Sequence, residues 1–520
     1  MFKKRNVFKD ILNTQAAEFD KMTQNSVMEN ANLGLNKLGI DDLIERAIQN
    51  DGLDPKILED GDESVRQNWG KGVFDDEVVI VRSDLNSPIK ILGEDQYELG
   101  GTDRIEASVP TLKELAGYGA KVVVIAHQGR LGQPDFISLE PHHRVLEELL
   151  GRKITFMRGH HYGENTQSII ENMVAGDIFL LDNIRKVADN ALPSQDPVEF
   201  ANAPDSYMKV LGRLAKYFVN DAFSTSHRRE GSIIGFPYIL NIAGRLTEKE
   251  VKENQELLKS IRPPYTLLLG GVKISDYLDS IENALEQKLV NNILAAGALG
   301  IMAVTEVDGR RINLGNNTRD FLKKEGIYRL MSRVRRLASR YPETFILPID
   351  FKVEVNGEVT YMTPDEIHNH PNKNSINIYG LGPKTVARFN GIQEQSRTVY
   401  IKGPPTKDDD EKFLKESREL FDKTVELKRE RGVTTILAGG NSHNLATNLG
   451  YQPKGDFTYA TLAGSAAIEY QFGILPPGLL MLNTSYNTFN GHDLYRGLQE
   501  PGKLGFELVA PRIPALLMPR

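Results

Sequence analysis

In the first half of the chain, short apolar runs are each followed by residues suited to holding an anion. "EVVIVRSDLNSP" leads to Asp84 and Asn86, and the helix after it starts with Arg104. "KVVVIAHQGR" ends in His127 with Arg130 three residues on, "FLLDNIR" brings Arg185, and "FVNDAFSTSHRREGS" brings His227 and Arg228. Arginine makes planar, bidentate contacts with phosphate and carboxylate. Asp84 and Asn86 can pair with hydroxyl groups. Any one of these arginines alone reads as a surface ion pair of little value. Together they describe a pocket for a small, multiply charged anion. His127 and His227 lack a carboxylate–histidine spacing, so no metal is expected on them.

The second half offers glycine turns. "LLLGGVKISDYL" sets Gly270 and Gly271 just before Lys273, and "GLGPKT" opens a helix at Pro383 after Gly382. "TTILAGGNSHN" carries Gly439, Gly440, Asn441 and Ser442, and "TLAGSAA" follows another apolar run. Amides at helix N-termini attract phosphate. A single Gly-Gly after a strand usually means tight strand-to-helix packing, but four such turns, one with a lysine, point to a nucleotide. The turn at Asn441 has no carboxylate to hold a metal and no lysine to meet a charge.

Such loops need a frame. From residue 77, apolar runs alternate with helical stretches, which predicts parallel sheets covered by helices. About a dozen runs exceed one ordinary sheet. The expected fold is therefore α/β, with two doubly wound parallel-sheet lobes separated by a cleft and joined by a helix. Residues 1–75 read as a helical N-terminal extension, with helical apolar spacing in "FKDILNTQAAEFDKM". Residues 76–240 form the anion-binding lobe, and 241–263 a long polar inter-lobe helix without a sheet strand. Residues 264–482 form the nucleotide-type lobe, and 483–520 a tail returning to the first lobe. In open α/β sheets ligands sit beyond the carboxyl ends of the strands, where these loops lie. "RLMSRVRRLASRYPE", Arg329 to Glu343, reads as a solvated helix face.

Composition agrees with this plan. The 520 residues are 40% hydrophobic and 26% charged, the balance of a globular protein with room for two domains. A net charge of −7 gives no basic field, so neither nucleic acid nor a membrane is an expected partner. With no cysteine, disulfides, thiolate catalysis and cysteine-held zinc are excluded. No apolar run is long enough to span a bilayer, and no continuous signal core opens the chain, so a cytoplasmic protein is expected.

These motifs resemble the phosphoglycerate kinase family, colinearly from about residue 77 to about 482. "VRSDLNSPI", "RIEASVPTL", "AHQGR", "LDNIR" and "VNDAFSTSHR" stand in family order, as do "LLLGGVKISD", "ILPIDF", "GLGPKT", "IKGPP" and "FTYATLAGSAAIE". The resemblance implies phosphate transfer between ATP and the carboxylate of 3-phosphoglycerate, with Mg2+ accompanying the nucleotide. It implies that Asp84, Asn86, Arg104, His127, Arg130, Arg185 and Arg228 bind the phosphoglycerate. Arg104, Lys273 and Gly440 would serve the transferring phosphoryl group. Gly270, Gly271, Lys273, Gly382, Pro383, Lys402, Gly439, Gly440, Asn441 and Ser442 would meet the nucleotide. The first lobe keeps every family ligand.

The second lobe departs from the pattern. Tyr277 stands where the family has a second lysine, Lys402 where it has Asn, and Asn441 where it has a metal-binding Asp. Glycines are lost from "NNILAAGALG" and at Ala438, Leu462 and Ala463, and "PTKDDDEKF" leaves no single acid to match the ribose ligand. Losing a lysine and a metal ligand together would cost about 10³-fold in rate unless they are replaced. Lys402 is a candidate replacement cation, and Asp408, Asp409 and Asp410 are candidate metal ligands. The leading reading is a divergent phosphotransferase of this type. The alternatives are a non-catalytic binding or assembly protein with a kept anion pocket, and an enzyme using another phosphate-bearing donor. Self-association through the N-terminal extension is a further expectation.

Overall fold

The computed structural model describes residues 37–490, apart from 60–62, 94–95, 160–162, 192–196, 204–205 and 308. The helical reading of "FKDILNTQAAEFDKM" and most of the C-terminal tail lie outside the described residues. The chain divides into two compact units. Unit 1 runs to Glu253 and takes in the segment from Leu475 onward; unit 2 is Asn254–Ile474.

The sheet of unit 1 has six strands: β1 (Val78–Ser83), β2 (Lys121–Ile125), β3 (Thr155–Met157), β4 (Ile178–Leu181), β5 (Tyr217–Asp221) and β6 (Leu240–Ala243). Their spatial order is β3-β4-β2-β1-β5-β6, with every pairing parallel. The apolar runs are continuous because both faces of the sheet are covered. Val79, Val81, Val122 and Val124 enter one core, and Ile80, Val123 and Ile125 the other. The two-residue period of a strand thus divides each run between two cores.

Helix α1 (Ile40–Asn50) buries Ile40, Leu43, Ile44, Ala47 and Ile48, a single stripe at helical spacing. Helix α2 (Glu63–Phe74) adds Val73 and Phe74 to the same core. The described part of the extension thus contributes apolar residues from Leu38 to Ile48, with Val73 and Phe74, to this core. Just before α1, the Ala243 amide donates to the Leu38 carbonyl at 2.7 Å, continuing the sheet beyond β6. Helix α3 (Asp103–Gly117) follows a β-hairpin formed by Ile89–Gly93 and Gln96–Leu99.

Residues 241–263 are not helical throughout. The first three, Asn241–Ala243, belong to edge strand β6, and helix α4 spans Arg245–Ser260. The apolar run "ILNIA" just ahead of the polar helix thus supplies a sheet strand. Arg245, at the start of α4, pairs with Asp41 and Glu114 and so joins α1, α3 and α4. The Asp221 carboxylate accepts the Leu246 amide at 2.9 Å and the Thr247 amide at 3.3 Å, capping α4. The helix Pro477–Phe489 returns to unit 1, where Ser485 Oγ accepts the Asn241 amide at 2.8 Å.

The sheet of unit 2 has the same construction. Its strands are β7 (Tyr265–Leu269), β8 (Asn292–Ala295), β9 (Phe345–Ile346), β10 (Thr398–Lys402), β11 (Thr434–Ala438) and β12 (Tyr459–Thr461). They lie in the order β9-β8-β7-β10-β11-β12, all parallel. Leu267, Leu269 and Tyr400 face one core; Leu268, Val399 and Ile401 face the other. An antiparallel sheet of Phe351–Val355, Glu358–Met362 and Asn377–Leu381 is attached to it. Its hairpin turns at Asn356-Gly357, both with positive φ, which is the Asn-Gly signal for a tight turn. Helix α5 spans Pro383–Glu394, α6 Gly440–Asn448 and α7 Gly464–Gln471.

Candidate active site

In a parallel sheet all strands end on one edge, so the loops after them meet there. In unit 1, β1 is level with β2 and β5, with Arg82 opposite Ile125 and Ser83 opposite Asp221. Asp84, His127, Arg185 and the turn around Ser224 are thereby collected on one edge. Arg104, in the first turn of α3, ion-pairs with Asp84 Oδ2 and donates to Ser224 Oγ at 3.2 Å. Ser224 Oγ in turn donates to Asp84. Asn86 Oδ1 accepts the Gly129 amide at 2.8 Å, fixing the "AHQGR" loop against the first. Arg185 donates to the Gly129 carbonyl and pairs with Glu230 at 3.0 Å, and Arg228 lies 3.9 Å from the same carboxylate. Arg130 is exposed at the rim, close enough to repel Arg185.

Behind this layer stands Arg82, fully buried, with Nη2 3.0 Å from His127 Nδ1 and Nε donating to Ser232 Oγ at 3.3 Å. Burial, followed by the charges of Arg185, Arg82, Arg228 and Arg104, holds His127 well below the usual histidine pKa. His127 is therefore neutral at physiological pH, able to accept one hydrogen bond and donate another. Burial pushes Glu230 up, but Arg185, Arg228 and Arg82 outweigh it and hold the acid ionised below the usual range. The site is a lattice of arginines cross-braced by Asp84 and Glu230.

Arg82, Gln128, Ser224 and Glu230 were not singled out from the sequence. Arg82 had a readable signal, a charge inside an otherwise apolar buried strand. Gln128 accepts the Ser87 amide at 2.9 Å and returns a bond to the Ser87 carbonyl at 3.0 Å. Nothing in the spacing marks that clamp.

In unit 2, Lys402 is paired in register with Leu269 on one side and Ala438 on the other, so β7, β10 and β11 end level. Glycine is required where these ends converge. A Cβ on Gly270 would lie 2.2 Å from the Pro404 carbonyl oxygen, and one on Gly464 2.7 Å from Gly439 Cα. Gly439 has φ of 92° and no side chain caps α6 behind it, so the first amides of that helix point outward. A cavity of about 510 Å³ opens there, lined by Gly271, Gly297, Phe321, Tyr379, Asp408 and Asn441, among others. Its size suits a nucleoside.

Three of the nucleotide residues read from the sequence are used differently. The Asp350 carboxylate accepts the Lys384 amide at 3.1 Å and the Thr385 amide at 2.7 Å, so the start of α5 is already capped. Gly382 leaves room for this carboxylate, since a Cβ there would fall 2.3 Å from Asp350 Cγ. Ser442 is buried, accepts the Gly403 amide at 2.8 Å and donates to the Ala438 carbonyl at 2.7 Å, which ties α6 to β10. Asp410 accepts the Lys412 amide at 3.1 Å and is also spent on local structure. Asp408 and Asp409 line the cavity. Among the described residues, no three His, Asp or Glu gather to hold a metal.

An arginine-lined anion site on one parallel sheet and a glycine-lined cavity on another define a phosphotransferase of two α/β units. The profile of the phosphoglycerate kinase family matches residues 71–473. A phosphoglycerate kinase of Methanococcus maripaludis is 30% identical over 79% of this chain and 96% of its own length. That of Methanothermus fervidus is 28% identical over 78% of this chain and 93% of its own. The crystal structure of phosphoglycerate kinase from Pyrococcus horikoshii is 27% identical, with a TM-score of 0.65, over 80% of this chain and 98% of that one. The chain belongs to the phosphoglycerate kinase family. It is a kinase-type phosphotransferase, and no observation favours the non-catalytic alternative. Among the described residues no helix is long and apolar enough to cross a membrane.

Proposed function

We propose that the unit 1 edge binds 3-phosphoglycerate and that the unit 2 cavity binds ATP or ADP. The observation that carries this is the arginine lattice around a neutral His127. Arg104, Arg130, Arg185 and Arg228 supply charge and forked donors to a phosphate and a carboxylate. Asp84 and Asn86 hold the loops and leave acceptor atoms for the hydroxyl. Because Asp84 already orients Arg104, little reorganisation is needed when charge develops on the transferring group. The acceptor carboxylate is ionised, so no general base is required.

In unit 2, the base enters the cavity between Phe321 and Tyr379, and Asp408 accepts from the ribose. The phosphates run toward Gly270, Lys273 and the outward amides of Gly440 and Asn441. Asn441 offers a neutral amide oxygen and no carboxylate, so the residues fit magnesium carried by the nucleotide phosphates and not an ion held by protein acids. When bound, the ion offsets phosphate charge. Transfer then depends on positioning and on the cations around the transferring phosphoryl.

A coupled assay with Mg-ATP and 3-phosphoglycerate tests this. Turnover that falls on both Arg104→Ala and Lys273→Ala is expected; wild-type turnover of neither substrate would overturn it. Association between copies through the N-terminal extension is proposed separately, and sedimentation with and without residues 1–36 tests it.

A further inference from the structure

Lys402 carries a buried charge that its direct contacts do little to offset. It ends the central strand β10 and is only 8% exposed. Among the described residues, no carboxylate forms an ion pair with it. Its ammonium lies 3.3 Å from Ser465 Oγ and 5.4 Å from the centre of the Tyr277 ring. Neither neutral contact replaces the hydration a lysine gives up on burial.

The surroundings point to what would. The ammonium lies 2.9 Å from the space a Cβ would fill at Gly464, the first residue of α7, and Gly464 packs on Gly439, the cap of α6. Neither helix start has a capping side chain. Two uncapped helix starts and a desolvated cation therefore converge on one point, and the charge of Lys273 reaches the same place. Two cations held at mutual repulsion are a poor arrangement for an empty fold and a good one for a polyanion.

We propose that Lys402 is a second phosphate-directed cation of the donor site, acting with Lys273 on the terminal phosphate of the nucleotide. This rests on the reading of unit 2 as the nucleotide site. Titration supports it. Burial lowers the Lys402 pKa to about 8; Asp276 pulls it up, Lys273 pushes it further down and Glu469 pulls it up. A phosphate arriving beside the ammonium raises that pKa again. Binding of ATP between pH 8 and 9 must then take up a proton, and affinity must fall as pH rises through about 8.

The test is calorimetry of ATP and ADP with wild type and Lys402→Met, in buffers of differing ionisation enthalpy. The variant is expected to lose 10-fold or more in ATP affinity, less for ADP, and to lose the proton uptake. Its unfolding temperature without ligand should not fall, because a buried charge with no ion pair among the described residues has been removed. Tyr277→Lys in the Lys402→Met background returns a cation to the same pocket and should restore part of the ATP affinity. Unchanged ATP affinity and proton uptake in Lys402→Met would overturn the proposal while leaving wild-type turnover, and so the kinase reading, standing. Lys402-dependent ATP binding without transfer to 3-phosphoglycerate would sink the kinase reading and leave this one. A wild type that binds neither nucleotide would sink both.

Discussion

The two strand-end sites handle charge in opposite ways. In unit 1, Arg82, Arg104, Arg185 and Arg228 stand among Asp84, Glu230 and the neutral His127, and the chain's own acids balance much of the field. In unit 2, backbone does most of the work, through Gly270, Gly439, Gly464 and uncapped helix starts, with Lys402 buried and, among the described residues, without an ion pair. A site of cross-braced side chains is preorganised before any ligand arrives, and each member is specific by residue type. A site built of amides keeps its shape when neighbouring residues change, because every residue except proline supplies the same N–H. A cavity walled by backbone, such as that of unit 2, is therefore less sensitive to residue type than the side-chain lattice of unit 1.

Removing one brace from unit 1 should have the largest effect. Arg104→Ala is expected to lower kcat/KM for 3-phosphoglycerate by about 10²-fold while leaving ATP affinity within about twofold. A loss of under threefold would mean that the lattice is not the acceptor site, and the contrast between the units would collapse. Steady-state kinetics with each substrate varied in turn decides it.

The second test concerns the framework that carries the lattice. Asp221 is fully buried, and burial raises its pKa to about 7 against the amide bonds that lower it. A group whose folded pKa is raised contributes stability below its unfolded pKa of 3.8 and loses it as pH rises toward 7. Asp221→Asn should flatten the unfolding temperature between pH 4 and 7, removing a term of about 2–4 kcal/mol. Parallel pH profiles of the two proteins would show that Asp221 does not titrate in this range.

The third test strikes the backbone site. Gly464→Val places side-chain atoms on Gly439 Cα and against the Lys402 ammonium. ATP affinity should fall by at least about 10-fold, and phosphoglycerate binding should be untouched, both by calorimetry. Equal weakening of both ligands would refute the separation of the two sites. The smallest effect is expected from Asn441→Asp, which adds a carboxylate at the rim of the cavity. Mg-ATP should bind a few-fold more tightly, seen as a lower magnesium requirement in titrations; an unchanged requirement would place Asn441 away from the phosphates.

Much of this molecule was legible before any coordinates. The alternating apolar runs specified two parallel sheets, since a strand buried on both faces has few other compositions. Asp84, His127 and Arg185 were readable as strand-end residues because each follows such a run, and Arg104 as the opening of a helix. The extension is helical where described, and its stripe Ile40, Leu43, Ile44, Ala47, Ile48 packs into the core of unit 1, a depth of burial its polar composition does not announce. At Gly382 and Pro383 the Asp350 carboxylate takes the helix-start amides, and Ser442 is held by Gly403 and Ala438. A glycine turn at a helix start looks the same in sequence whether a phosphate or the chain's own Asp350 fills it.

By itself, then, the sequence determined the sheet architecture and which charged residues follow the strands, because a strand buried on both faces is legible from residue type alone. Tertiary structure alone decided which helix starts stay open, that Glu230 joins the lattice through Arg185 and Arg228, and that the Lys402 ammonium comes within 2.9 Å of the space beside Gly464. Those outcomes depend on which chain segments meet across the sheet, a matter of register and packing between residues distant in sequence.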